Sequence, residues 1–111
     1  MIYHILLRMK TPEGNWLTLG EDHKILWDAR ELIAASSGWT VLNWQSVTPA
    51  DSIIPTLEKG ILELTEDSGA YSRFEVLHGP GTIRDALDFY RELLQDCRAY
   101  PFTELYGYIA A

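Results

Sequence analysis

The sequence predicts an α+β fold, a two-layer sandwich in which helices cover one face of an antiparallel or mixed sheet of about four to six strands. Two observations predict it. Polar and apolar residues alternate over residues 2–9, as in a half-buried strand, whereas apolar residues recur at helical spacing after Thr82. The length of 111 residues is that of a single domain, so we expect one domain over residues 1–111.

The charge balance narrows the classes of partner. The chain carries 16 acidic and 9 basic side chains, a formal net charge of -7. We therefore expect no direct binding to nucleic acids or membranes, whose phosphates repel an acidic protein. Cys97 is the only cysteine, and residues 1–8 lack the features of a secretory signal. A cytoplasmic location is the expectation that follows.

The first strand is predicted over residues 2–9, and its two faces differ. The apolar face carries Tyr3, Ile5, Leu7 and Met9. His4 and Arg8 lie on the opposite, mixed face. After the turn formers at 11–15, residues 16–19 are predicted to return as a short antiparallel arm.

Two helices are predicted in the middle of the chain. The first begins at the acidic Glu21 and continues until Gly38. Thr48, followed by a proline and by a carboxylate at the third position, predicts the start of the second. This helix is expected over 49–59 and to end at Gly60.

Four further strands complete the predicted sheet. Residues 39–47 are rich in β-branched and aromatic residues and predict a strand. Residues 61–65 and 71–77 flank a turn-forming segment and predict a hairpin. The last strand is expected over 102–109.

Helix three has the strongest pattern in the chain. Thr82 and Asp85 are spaced as a capping pair. One apolar stripe follows, formed by Ile83, Ala86, Leu87, Tyr90, Leu93, Leu94 and Cys97. If the short pieces at 16–19 and 49–65 are set aside, the remaining order is βαββαβ, which is the ferredoxin-like order.

The other side of helix three is charged. Its acidic residues are Asp85, Asp88, Glu92 and Asp96. Arginines are interleaved with them, and the spacings from Arg84 to Asp88 and from Asp88 to Arg91 suit ion pairs on a helix. A solvated, self-paired face is therefore expected, with docking of a basic partner as the alternative.

Candidate residues for binding a partner protein are Trp27, Glu63, Glu66 and Asp67. Trp27 falls off the apolar stripe of helix one, so it is either exposed to a partner or covered by another element. The three carboxylates surround the predicted hairpin turn, where an acidic cluster can dock on a basic surface. Trp16 and Tyr108 are weaker aromatic candidates.

Candidate residues for binding a small ligand are His4, Arg8, His78, Gly79 and Gly81. The last three form a glycine-bearing turn before helix three, where free amides attract anions. A plain turn capped by Thr82 is the alternative, since the spacing matches no phosphate-binding fingerprint. His4 and Arg8 would line a pocket, together with Tyr71 or Arg73, in a dimer formed through the sheet.

Motifs for catalysis and for metal binding are missing from the sequence. The histidines are scattered, no GxSxG or SxxK is present, and Cys97 falls on an apolar stripe. We therefore expect no catalytic residue, no metal and no cofactor. The alternative is that His4 and His78 converge with Glu63 or Glu75 across the sheet and form an acid–base site or a loose metal site.

The leading hypothesis is a non-catalytic acidic module that docks on another protein, such as an inhibitor, an immunity-type protein or an adaptor. Its expected surface is an aromatic-centred patch with carboxylates at the rim. One alternative is a small-molecule-binding or enzymatic dimer with a ferredoxin-like fold. The other is a structural subunit that joins an assembly by strand addition.

Overall fold

The computed structural model describes residues 1–40, 48–75 and 82–110. Within these residues the chain forms a two-layer α+β sandwich with a 4-stranded antiparallel sheet in the order β2-β1-β4-β3, so the predicted fold class is confirmed. The strands are β1 (Ile2–Lys10), β2 (Trp16–Leu26), β3 (Thr48–Pro49) and β4 (Glu104–Ala110). The α-helices are α1 (Arg30–Ser37), α2 (Ala50–Glu66) and α3 (Ile83–Ala99), and short 3-10 helices cover Trp27–Ala29 and Ser68–Phe74.

Strand β1 lies inside the sheet, between β2 and β4. Its predicted alternation is confirmed, because Tyr3, Ile5 and Leu7 are all buried in the core. The side chains between them point to the other side of the sheet. The predicted arm at residues 16–19 is confirmed as the beginning of β2.

Strand β2 is longer than predicted, and helix one is correspondingly shorter. The expectation that a helix begins at Glu21 is wrong, because β2 continues to Leu26 and α1 begins at Arg30. His23 and Ile25 are both buried. Burial thus follows the two-residue period of a strand. This pattern decides the conformation, although the acidic residues are typical of a helix start. The predicted helix end at Gly38 is confirmed.

A bulge interrupts the pairing of β1 with β2. Ile5 pairs with His23, but Leu7 pairs with Leu19, so two steps along β1 correspond to four along β2. Gly20 lies in this bulge with a φ of +74°, a conformation that favours glycine. The bulge brings the backbone of β2 close to α3.

Helix α2 replaces the predicted hairpin. The predicted helix end at Gly60 and the predicted strand at 61–65 are both wrong, because α2 continues through Pro55 and Gly60 to Glu66. The predicted strand over 71–77 is also wrong in its first part, where residues 68–74 form a 3-10 helix. Residues 76 and 77 lie outside the described part of the chain.

The buried stripe of α2 explains why the helix continues. Ile53, Leu57, Gly60 and Leu64 are all buried and recur at intervals of three or four residues. The segment after Gly60 has strand-like alternation, but its helical period continues this stripe. Burial against α3 therefore decides the conformation, and Pro55 costs the helix one backbone hydrogen bond.

Helix α3 forms as predicted. The Thr82 hydroxyl accepts a hydrogen bond from the amide of Asp85, and the Asp85 carboxylate accepts one from the amide of Thr82, which completes the capping box. Phe89 is a further buried residue of the helix. The buried part of its predicted stripe is Ala86, Tyr90, Leu93, Leu94 and Cys97.

The C-terminal strand is confirmed as β4, and it pairs with both β1 and β3. The strand predicted over 39–47 falls mostly outside the described residues, because 41–47 are not described. Described elements follow the order ββαβααβ. Ferredoxin-like connectivity therefore stays a prediction.

Candidate functional site

One face of the sheet is covered by helices, and the other carries exposed aromatic rings. Since side chains alternate along a strand, the even-numbered residues of β1 point away from the core, and so do their partners on β2 and β4. We call this surface the open face. Trp16, Tyr106 and Tyr108 on it are 46%, 40% and 37% exposed.

Arg8 lies at the centre of the open face between two aromatic rings. Its guanidinium carbon is 3.9 Å from the centroid of the Trp16 ring and 4.0 Å from that of Tyr106. Both rings come from neighbouring strands, each two residues along the strand from the residue that pairs with Arg8. Both contacts are within the range of cation–π interactions. Two rings therefore hold this cation in place.

The charge of Arg8 is not neutralised within the described part of the chain. No carboxylate there lies within 4.0 Å of its guanidinium. Its Nε is shielded from solvent and has no hydrogen-bond acceptor among the described residues. Glu104 faces Arg8 in the strand register without forming an ion pair. The guanidinium is therefore available to a carboxylate from outside.

His4 extends the same surface towards the other end of β1. It lies directly opposite Tyr108, and the two rings are stacked with centroids 4.7 Å apart and planes within 3°. The Nδ1 of His4 is 3.0 Å from an oxygen of Asp22. With a proton on Nδ1, the imidazole donates a hydrogen bond to this carboxylate. The ring is thus fixed on one side by a π-stack and on the other by an acid.

These contacts join into one continuous series, since Tyr106 and Tyr108 are also 6.0 Å apart. We call it the aromatic row, and its members are Trp16, Arg8, Tyr106, Tyr108 and His4. Lys10 and Lys24 add positive charge to the open face, whereas Asp22 and Glu104 add negative charge. This surface therefore combines aromatic rings and a cation within the row with charges of both signs around it.

A second convergence of side chains joins β2 to α3. His23 is 3% exposed, and its Nε2 is 2.6 Å from an oxygen of Asp96. The same oxygen accepts a hydrogen bond from the amide of Glu21 at 2.9 Å. Sequence reasoning did not single out this pair, because its members are far apart in the chain and meet only through the bulge. Asp96 is therefore engaged in fastening the bulge to the helix.

The described residues do not gather the groups of a metal site. Over 1–40, 48–75 and 82–110, no three His, Cys, Asp or Glu side chains are placed to hold a metal ion. Cys97 is fully buried, and burial raises the pKa of its thiol to about 12. A thiol in this environment is unreactive at neutral pH. Among the same residues, no helix has both the length and the apolar character needed to cross a membrane.

The structure brings together some of the predicted ligand-binding residues. His4 and Arg8 share the open face and belong to one aromatic row. Tyr71 does not join them, since it lies in the 3-10 helix and donates a hydrogen bond to Glu63 of α2. Arg73 belongs to the same 3-10 helix and contacts Phe74. The predicted glycine turn with His78, Gly79 and Gly81 lies outside the described residues.

The predicted partner-binding residues are spread over separate elements. Trp27 is half-buried, 5.9 Å from the Tyr3 ring, with the Arg30 guanidinium 5.0 Å over it. Glu63, Glu66 and Asp67 lie at the C-terminal end of α2 instead of around a hairpin. Their role in binding a partner stays a prediction.

Tyr106 is the residue that sequence reasoning missed on the open face. Its signal is its spacing from Tyr108, since residues two apart on a strand share a face.

Comparison of the chain with protein-family models, with curated proteins and with solved structures finds no match. Function is therefore inferred from the geometry of the chain itself.

Proposed function

We propose that this chain is a non-catalytic protein-binding module, acting as an inhibitor, an immunity-type protein or an adaptor, and that it docks on its partner through the open face. The observation that carries the proposal is the position of Arg8 between the rings of Trp16 and Tyr106. Arginine, tryptophan and tyrosine are the residue types that dominate binding energy at protein interfaces.

The aromatic row is suited to binding because its side chains are already ordered. Tyr108 is stacked on His4, and Arg8 contacts two rings. A flexible side chain loses about 0.5–1.5 kcal/mol of conformational freedom when an interface immobilises it. Rings and a guanidinium that are fixed in advance avoid much of this loss. The open face therefore supports affinity without a large rearrangement.

The charges on the open face indicate the chemistry of the partner's contact surface. Arg8 has no carboxylate partner within the described residues, and Lys10 extends beside Trp16 with its Nζ 5.8 Å from the ring centroid. An apolar or aromatic surface that presents one carboxylate to Arg8 complements this arrangement. The partner surface that we propose is thus acidic at its centre, although the chain itself is acidic overall.

Site-specific photo-crosslinking tests the proposal in cells of the native host. A benzophenone amino acid at Thr18, which is exposed and pairs with Arg8, is expected to capture a discrete partner protein. The same amino acid at Leu62, an exposed position on α2, is the matched control. Arg8→Gln and Tyr106→Ser are expected to remove the Thr18 adduct. Thermal unfolding of each variant is the control that tests whether the variant protein remains folded.

The pattern of adducts distinguishes the alternatives. Identical adducts from Thr18 and Leu62, or a Thr18 adduct that survives both substitutions, would contradict docking through the open face. An adduct of twice the chain mass of 12.7 kDa would identify a second copy as the occupant, which is the homodimer alternative. Binding of the captured partner, made recombinantly, is then measured by calorimetry with the wild-type chain and with Arg8→Gln.

A further inference from the structure

A groove lies between the end of β2 and the first half of α3, at a position separate from the aromatic row. It encloses about 420 Å³, which is within the range of small-molecule sites. Its apolar wall is formed by Ile2, Ile25, Leu26 and Phe89. The groove thus offers a hydrophobic surface at the edge of the sheet.

The rim of this groove is negatively charged. Asp88 and Glu92 line it from adjacent turns of α3, and both are exposed. The ion pairs expected from sequence spacing do not form, because neither Arg84 nor Arg91 lies within 4.0 Å of Asp88 among the described residues. The interpretation of this stretch as a self-paired face is therefore wrong for Asp88.

The other charged residues of the rim have partners elsewhere. Asp85 accepts hydrogen bonds from Thr82 in the capping box. Lys24 has its Nζ 4.0 Å from Asp22, on the open face. The charges that remain free to meet a ligand are the carboxylates of Asp88 and Glu92. An apolar wall and two unpaired carboxylates therefore line the same groove.

We infer that this groove binds a small organic cation with an apolar body, of the alkylammonium class. The apolar body covers the exposed part of the wall, where Ile2 is 37% exposed and Leu26 is half-buried, and removal of this surface from water drives binding. The ammonium group lies between Asp88 and Glu92, which are four positions apart and therefore neighbours on the helix surface. The ligand is expected to be positively charged, because the two carboxylates attract a cation and repel an anion of the same shape.

Octylammonium is the probe, and octanoate and octanol are its comparators of equal chain length. NMR titration is expected to shift the backbone amides of Ile25, Leu26 and Phe89 when octylammonium is added. Octanol is expected to bind at least about tenfold more weakly and octanoate more weakly still, since they lack the attraction to the carboxylates. A higher salt concentration is expected to reduce the difference in affinity between octylammonium and octanol, because salt screens the attraction to the carboxylates.

The variant Asp88→Asn/Glu92→Gln removes both rim charges and is expected to abolish the preference for octylammonium over octanol. The control Glu13→Gln/Glu66→Gln changes the net charge by the same amount at exposed positions outside the groove. Equal binding of the three probes, an unchanged preference in the rim variant, or a loss in the control would overturn the inference. Arg8→Gln, which tests the open face, is expected to leave octylammonium binding unchanged, so the two proposals fail separately.

Discussion

Gly60 of α2 faces the aromatic ring of Tyr90 of α3. A Cβ atom added at Gly60 would lie 2.5 Å from Cζ of Tyr90, well inside van der Waals contact. Tyr90 cannot move away easily, since its hydroxyl lies 2.7 Å from Ser36 Oγ and donates to the Ile33 carbonyl at 3.0 Å. The glycine therefore permits this helix pair, although it was expected to end a helix.

Gly60→Ala is predicted to destabilise the protein by overpacking, by about 1–3 kcal/mol. The loss occurs even though alanine favours a helix by about 1 kcal/mol over glycine. Urea unfolding measures the free energy. Gly69→Ala is the control, because a Cβ there meets nothing within 4 Å, and it is expected to change stability by less than about 0.5 kcal/mol. A Gly60→Ala protein as stable as the wild type would contradict this packing.

Tyr90→Phe is predicted to lower the free energy of unfolding by about 0.5–1.5 kcal/mol, since it removes a buried hydroxyl with hydrogen-bonding partners. Those partners are Ser36, Ser37 and the Ile33 carbonyl. Tyr108→Phe is the control, because its ring lies on the open face. Unfolding curves of the two variants and the wild type provide the comparison. Equal stability of all three would show that the buried hydroxyl contributes nothing net.

Gly20→Ala is predicted to be more destabilising than Gly14→Ala. Both glycines have a positive φ, +74° for Gly20 and +89° for Gly14, so both substitutions introduce backbone strain of about 1–2 kcal/mol. Only at Gly20 does a Cβ also overlap the carboxylate of Asp96, whereas at Gly14 the nearest atom is Lys10 Cε at 3.9 Å.

The difference between these two variants measures the free-energy cost of the overlap with Asp96. We expect Gly20→Ala to cost about 1–3 kcal/mol more than Gly14→Ala in urea unfolding. When both substitutions are made in an Asp96→Ala background, the difference between them is expected to shrink, since the overlapping group is absent from both. If the two single variants are equally stable, the contact between the bulge and Asp96 has no energetic weight.

The raised pKa of the Cys97 thiol predicts how the free energy of unfolding changes at alkaline pH. Burial raises its pKa from 9.0 to about 12. Above pH 9 the unfolded chain loses this proton while the folded chain keeps it, so stability falls from about pH 9 to pH 12. In Cys97→Ala the slope over this window is expected to be shallower by up to about 1.4 kcal/mol per pH unit. Urea unfolding at pH 8 to 11 measures both slopes.

A thiol reagent gives an independent measurement on the same residue. Ellman's reagent is expected to label the folded protein very slowly at pH 8 and to label the chain fully in denaturant. Fast labelling of the folded protein would contradict the burial of Cys97.

The elements whose local and tertiary signals agree were predictable from the sequence. The alternation in β1 and the capping pair of Thr82 and Asp85 both correspond to what forms. The segment after Gly60 was not predictable, because its short alternation resembles a strand and only packing against Tyr90 shows that a glycine belongs inside α2. Long-range burial decides in such cases, and a single sequence does not contain it.

The candidate site was also predictable from the sequence only in part. His4 and Arg8 were placed on one face by their spacing, and that placement is confirmed by the register of β1. Their association with Tyr106 depends on β4 returning beside β1, which brings together residues almost a hundred positions apart. A pattern within one strand identifies a face, but not the neighbours that complete it.

The pairing of the first strand with the last constrains how this chain is made. Ile2 lies opposite Ala110, so β1 emerges from the ribosome long before β4 exists to flank it. Until then one edge of β1 has unsatisfied backbone groups, and its apolar side chains have no complete layer to pack on. Completion of the sheet therefore waits until β4 has been synthesised, and nascent chains stalled before β4 expose an unpaired strand edge that favours aggregation.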